Sequence, residues 1–497
     1  MKLTRLLLFL CAILLCNTTT VASSISFSKK TLESQALIYQ LRLSEAESIL
    51  LTEAKAHPDD VVVNYLQVVS SMLLYVTNES QAAFDSFDNR RDIAIDKLES
   101  NAPSNGYRDF LLEEIYFYSS VVNGKKGNTI SAAKDVRNCY KYGSKVLEEY
   151  PSFHAAKKTM GLLKSGFGSL PSTYQKLVTF LGYESSMNEG IRLLESFIKS
   201  ENTGSEWLLI KKEASFYLAS VHLYLKNDKV TAWDMIQTTT ADYSTNPLSA
   251  FARVNFADKC KKNNEIISVV QALPTGSQYG KIPFMSLMLG KAKLQRLDKD
   301  ADKSLLQYLK DHKGSSYVKS CYQKLAWHAY IHGNIEKYNS YKKALVQNGN
   351  TELEEDDQAH TFGINPENPN RELLKTRLLF DGGYYSEALK IIRPLMANDF
   401  ANDLTKTEYA YRKGRIYDAL GYNSLAIAFY KESIKTGEQL EVYYASYSAL
   451  YIGEIYEKLG DHENAKTYFK KATSFSNNRE YRKSIEHRSK NGLKRIE

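Results

Sequence analysis

Apolar and small residues along the last part of this chain recur at helical spacing, and the recurrence itself repeats. Gly414, Tyr417, Gly421, Ala426, Tyr430 and Ser433 reappear, shifted by 39 residues, as Gly453, Tyr456, Gly460, Ala465, Phe469 and Ala472. Steps of three, four and seven residues place such positions on one face of a helix. Gly421 and Gly460 end the first helix of each block, since glycine takes the left-handed conformation that closes a helix at no steric cost. Small residues in mid-helix let neighbours approach closely, and the aromatic rings fill the space between them. The pattern predicts helix-turn-helix units stacked into an all-α array, in which each unit packs on its neighbours.

Weaker copies run upstream. Ile38, Leu41, Ala46 and Leu50 lead to Pro58, which stands 12 residues after Ala46, and Cys139, Gly143 and Val146 lead to Pro151, again 12 residues on. Gly290, Lys293 and Leu297 fall at first-helix offsets, Ala326, Ala329 and Gly333 repeat them 36 residues later, and Thr376, Leu379, Gly383, Ala388 and Ile392 make a further copy. This spacing resembles the tetratricopeptide repeat (TPR) family. Departures are Thr376 at the first-helix glycine, and Tyr338 and Asp302 at the small residue of the second helix. The resemblance implies a TPR-like helix-turn-helix solenoid, a right-handed superhelix of antiparallel helix pairs with a concave face that holds protein or peptide segments. Carried onto the two clear repeats, its groove positions are Glu408, Tyr411, Arg415, Asp418, Tyr447, Leu450, Glu454 and Glu457. The stretch from Gly161 to Gly190 is also similar to exported TPR proteins of Gram-negative bacteria.

Five blocks are expected. Residues 1–23 have the layout of a secretory signal peptide: Lys2 and Arg5, an apolar run from Leu6 to Cys16, then small residues around Ala22. That run is shorter than the roughly 20 residues of a spanning helix. No later segment reads as long and apolar enough for one, so an exported chain, periplasmic or extracellular and without a transmembrane span, is expected. Acylation at Cys16 is the competing reading, opposed by the large Leu15 before it. Residues 24–200 form a degenerate helical region and 201–346 the middle repeats. Residues 347–370, with Glu354-Glu355-Asp356-Asp357, Pro366 and Pro369, read as a polar loop or short polar helix. Residues 371–497 hold the clear repeats and a basic capping helix.

Composition adds limits. The formal net charge of +8 is dispersed over 497 residues, which gives no basic stripe for nucleic acid. Only 10 prolines suit helices with short connections, and 35 tyrosines supply the packing rings. Beyond the leader, Cys139, Cys260 and Cys321 are too far apart for a metal-ligand spacing. The Gly166 to Pro171 run lacks the Gly-Lys-Ser/Thr of a phosphate loop. Asp298, Asp300 and Asp302 alternate as in calcium loops, but Lys303 and Leu309 stand where glycine and glutamate are needed. His328 and His332 share a helix face without an intervening glutamate. No catalytic residue, metal site or cofactor is expected. A protein-interaction scaffold fits best. Its rivals are a membrane-surface protein acting through the basic C-terminal helix, and an enzyme with its site within 161–264.

Overall fold

The structure, a computed structural model, describes residues 25–496 except 101, 103, 171–181, 184–185, 202–203, 275, 277 and 476–480. The expected signal peptide therefore lies outside the described residues. Among those described there are 24 α-helices and no strand. The chain is an all-α helical repeat protein that divides into two compact units, Met1–Phe256 with Ala272–Ile282, and Ala257–Gln271 with Pro283–Glu497.

Unit 1 contains α1 (Lys29–Tyr39), α2 (Leu43–Ala56), α3 (Val61–Asn78), α4 (Gln81–Ser100), α5 (Gly106–Lys126), α6 (Thr129–Glu149), α7 (Lys157–Gly168), α8 (Met187–Ile198), α9 (Ser205–Ser220) and α10 (Lys229–Thr239). The unit boundary falls inside α11 (Pro247–Lys259). Side chains that accept from otherwise unpaired amides start several of these helices: Ser28 from Thr31, Asp60 from Val62, Asn105 from Arg108 and Ser186 from Glu189. The glycines between 161 and 190 allow a close crossing of α7 and α8. A Cβ on Gly190 would lie 2.4 Å from the Gly161 carbonyl oxygen, and one on Gly168 would lie 2.3 Å from the Met187 nitrogen.

The odd-numbered helices of unit 1 close on themselves, with α1 packing on α3, α3 on α5, α5 on α7, α7 on α9, and α9 back on α1. Each contributes to a polar cluster inside the ring. Lys158 on α7 is fully buried, pairs with Glu114 on α5 and donates to Glu213 on α9 at 2.9 Å. Tyr39 donates to Glu213 at 3.0 Å, and Tyr118 donates to Glu114 at 3.1 Å. Desolvation opposes the Lys158 charge, but Glu114 and Glu213 outweigh it and hold the amine above its ordinary range.

The expectation that no later segment is long and apolar enough to cross a membrane needs correcting at α3. Its 18 residues pass by length and composition, although 67% of them are buried inside the protein. Polar Asn64, Ser70 and Ser71 interrupt the apolar run and hide it from inspection, and all three are buried with it.

Unit 2 continues from the end of α11 with α12 (Asn263–Gln271), α13 (Pro283–Gln295), α14 (Ala301–Asp311), α15 (Val318–Ile331), α16 (Ile335–Gln347), α17 (Glu354–Ile364), α18 (Arg371–Asp381), α19 (Tyr385–Ile392), α20 (Asp403–Ala419), α21 (Asn423–Gly437), α22 (Tyr444–Lys458), α23 (His462–Ser474) and α24 (Arg482–Ile496). Helices pair as α13 with α14, α15 with α16, α18 with α19, α20 with α21 and α22 with α23, and the first helices of successive pairs pack side by side as α18, α20, α22 and α24. Gly421 and Gly460 have φ of 82° and 76°, the left-handed turn expected of them. Leu297 makes the same turn at φ 64° without being glycine.

Two sequence readings resolve here. Of the alternatives for 347–370, a helix forms: α17 packs on α15 and α16. In α14 the small position is filled by Ala301, fully buried, not by Asp302. The register is one residue earlier than a fixed offset of 12 predicts, and Leu305 follows it four positions on against Gly290.

Candidate functional site

The first helices of the last repeats present their inner sides to a cavity of about 220 Å³. It is lined by Thr376, Arg377, Phe380 and Asp381 of α18, by Tyr411, Arg412 and Arg415 of α20, by Tyr447 and Tyr451 of α22, and by Tyr443 and Tyr481 just before α22 and α24. The repeat puts two of them there: Arg377 and Arg415 each follow the register position of Thr376 and Gly414.

Two of the three arginines have carboxylate partners. Arg377 lies 3.6 Å from Asp381, and its guanidinium stands 5.0 Å from the centre of the Trp327 ring. Arg412 donates through Nε to Glu408 at 2.6 Å. Arg415 is different. Its Nη1 donates to the Tyr411 hydroxyl at 3.0 Å and the Tyr451 hydroxyl at 2.8 Å, and its guanidinium lies 4.3 Å from the Tyr451 ring and 4.8 Å from the Phe380 ring. Tyrosine oxygens and ring faces stabilise a buried cation, but they carry no countercharge. Tyr447 stacks on Tyr451 with centroids 5.5 Å apart and planes at 18°, which makes a flat apolar wall. Burial pushes the Tyr443 and Tyr451 hydroxyls upward, so both remain protonated across the physiological range.

The expected groove residues divide by role. Tyr411, Arg415 and Tyr447 line the cavity, and Glu408 borders it through Arg412. Asp418 accepts from the Tyr430 hydroxyl at 3.3 Å. Leu450 is fully buried among core residues and offers no surface to a ligand. Glu454 and Glu457 face the capping helix: Arg488 contacts both Glu454 oxygens at 2.7 and 2.8 Å, and Arg495 holds Glu457 at 2.6 and 2.8 Å. Missed by the sequence reading were Arg377, Phe380 and Asp381 from the preceding repeat, and Arg412, Tyr443, Tyr451 and Tyr481. Extending the register one repeat upstream from Arg415 would have found Arg377.

The other candidates have ordinary roles. Asp298 pairs with Arg296, and Asp300 with Lys293. His328 meets the Lys299 carbonyl oxygen through Nε2 at 3.1 Å, and its ring packs 4.6 Å from that of His332. Among the described residues no group of three or more His, Cys, Asp or Glu is placed to hold a metal. Cys139 and Cys321 are buried thiols, and burial pushes Cys321 to about 12.

The tetratricopeptide repeat family matches residues 407–436 and 451–479, the segments that form α20–α21 and α22–α23. These are tetratricopeptide repeats. No curated protein matches the chain. Among solved structures it is similar to the apo form of RapI, with 14% identity, a TM-score of 0.30, and coverage of 82% of this chain and 96% of that one. In both TPR repeats the family's glycine meets the family's aromatic: a Cβ on Gly414 would lie 2.6 Å from the Tyr430 ring, and one on Gly453 2.7 Å from Phe469. The TPR repeats support a role in protein–protein interaction.

Proposed function

We propose that this chain is an exported interaction scaffold that holds a segment of a partner protein against the inner side of α18, α20 and α22, without turnover. The observation that carries the reading is the cavity itself. Tyrosine and arginine supply much of the energy at protein interfaces, and here they line a concave recess on packed helices. The helices and their ring contacts preorganise the surface, so little conformational freedom is lost on binding. Export rests on the charged and then apolar start of the sequence.

The rival reading, membrane attachment through the basic tail, draws less support. Arg488 and Arg495 are engaged by Glu454 and Glu457, and Arg482 by Glu486. That leaves Lys483, Lys490 and Lys494 as the exposed lysines of α24.

Crosslinking in intact cells followed by affinity capture tests the proposal. Three forms are compared: the parent, an Arg415→Gln/Tyr447→Ala variant, and a control, Tyr422→Ala/Leu425→Ala, whose residues are exposed and do not line the cavity. One or two envelope proteins should be enriched with parent and control and lost with the inner variant, all three melting alike. An unchanged set with the inner variant would refute the groove assignment.

A further inference from the structure

We propose that the groove between α4 and α6 docks a basic segment of a partner protein, one that presents two or more lysines or arginines along one face of a helix. The groove is built wholly by unit 1 and shares no residue with the recess in unit 2. It lies between the second helices of neighbouring pairs, α3 with α4 and α5 with α6.

Packing gives the shape. α4 and α6 both pack on α5 and leave about 750 Å³ between them. Both ends are tied. The Lys126 amine donates to the Gln81 side chain at 2.6 Å and lies 5.2 Å from the centre of the Phe84 ring, and the Tyr142 hydroxyl donates to Glu99 at 2.8 Å. Tyr142 also stacks on Tyr116, with centroids 5.8 Å apart and planes at 7°. From Phe84 to Asp96 the α4 wall runs about 18 Å, or about three helical turns. Phe84, Ile95 and Tyr116 on the lining offer apolar surface to the methylene stems of lysine and arginine.

Charge gives the sign. The lining carries four carboxylates, Asp88, Asp92, Asp96 and Asp135, against two cations, Arg91 and Lys134, a formal balance of −2 in a chain whose net charge is +8. Arg91 is shared between Asp88 at 2.6 Å and Asp92 at 2.7 Å. Asp135 accepts from Ser119 and Asn123, and Asp96 makes no ion pair among the described residues. The remaining cations of α4 are engaged elsewhere, Arg90 by Glu47 and Lys97 by the Pro58 carbonyl oxygen. An acidic groove on a basic protein is complementary to a cationic partner.

The same carboxylates cost the helix that carries them. Asp85, Asp88, Asp92, Asp96 and Glu99 recur at steps of three and four, so they share one face of α4 and repel along it. Asp96 and Glu99 also stand near the C-terminus of α4, where the helix carbonyls disfavour negative charge. Among the described residues only Arg91 forms ion pairs with this stripe. A stripe that destabilises its own helix marks a surface kept for binding. Basic side chains at one-turn spacing on a docked segment relieve both penalties.

The test uses the purified full chain on an array of random 12-residue peptides, acetylated and C-terminally amidated. The parent should bind a set of peptides that share lysines or arginines three or four residues apart. Changing those residues to glutamine should weaken binding about tenfold or more, the worth of two partly exposed ion pairs. Asp92→Asn/Asp96→Asn should lose the same set while melting no lower than the parent, since the change relieves repulsion along α4. Asp96→Asn alone should give a partial loss and stands in should the double variant fail to fold. Two controls should bind the set as the parent does: Asp59→Asn/Glu148→Gln, which alters the net charge equally at exposed residues off the lining, and Arg415→Gln/Tyr447→Ala, which alters the recess. No basic peptide bound by the parent, the set retained by the α4 variants, or an equal loss with Asp59→Asn/Glu148→Gln would overturn the proposal. Loss of the set with Arg415→Gln/Tyr447→Ala alone would also overturn it, by moving the site to the recess.

Discussion

Phe469 shows how a repeat signature works at the level of atoms. The ring is fully buried and lies between two glycines: a Cβ on Gly453 would come within 2.7 Å of it, and one on Gly492 within 2.5 Å. Neither side can give way. Gly453→Ala should therefore destabilise the chain by about 1–3 kcal/mol through overpacking, despite alanine's better helix propensity, as urea titration would show. The same logic explains a departure from the pattern. Tyr338 occupies a small-residue position and is fully buried because Ala326 and Ala329 on α15 provide the room. Glycine and aromatic positions were legible because both partners recur at fixed spacing. The exchange at Tyr338 was not, since the compensation lies on the other helix.

Glu113 gives a second prediction at this scale. It is fully buried, neither carboxyl oxygen has a partner, and burial followed by the Glu114 charge pushes it well above the carboxylate range. A carboxyl whose folded pKa is raised favours folding least when it must ionise in the unfolded chain, so its cost grows as pH rises above the ordinary value of about 4.5. Glu113→Gln should stabilise the protein at neutral pH, and the gain over the parent should shrink toward pH 4.5. A pH-independent difference in thermal melting would contradict this.

At the scale of elements, α17 is the instructive case. Its sequence, with four acids in the first turn, reads as either a polar loop or a short polar helix. Asp356 is nevertheless fully buried and accepts from the amides of Tyr317 at 2.6 Å and Ser320 at 2.8 Å, closing the start of α15 from 36 to 39 residues away. Glu355 holds Lys324 at 2.7 Å and Ser320 at 2.8 Å beside it. α15 has no cap from its own N-cap residue. Asp356→Ala should cost about 1–2 kcal/mol, the worth of a strong cap, with faster amide exchange confined to the first turn of α15. Exchange that rises only in α17 would count against the capping role. A cap supplied from another helix leaves no local signal, which is why the reading of 347–370 stayed open between loop and helix. The turn at Leu297 is similar: the left-handed turn survives in the middle repeats after the glycine that announces it has gone.

At the scale of the molecule, the two units use their inner sides differently. In unit 1 the ring of odd-numbered helices is filled by its own side chains, with Lys158 buried among Glu114, Glu213 and tyrosines. Removing the cation by Lys158→Met would leave buried carboxylates unmatched, a loss of about 3–5 kcal/mol. Trp207 and Trp233 lie in unit 1 and Trp327 in unit 2. The early part of the fluorescence unfolding curve should thus shift while the Trp327 signal holds. None of this closure was visible in the sequence, because its participants are spread from Tyr39 to Tyr217 with no common spacing. In unit 2 the inner side keeps a recess, and Tyr411, Arg415 and Tyr447 are among the residues that line it.

The most direct test of a partner on that inner side is a photo-crosslinking amino acid placed in living cells at position 447, inside the recess, and at position 422, which is 56% exposed and not part of the recess lining. The account predicts a discrete adduct with an envelope protein from position 447, none from 422, and its loss when Arg415→Gln is added. Adducts of equal yield at both positions, or at 422 alone, would contradict it.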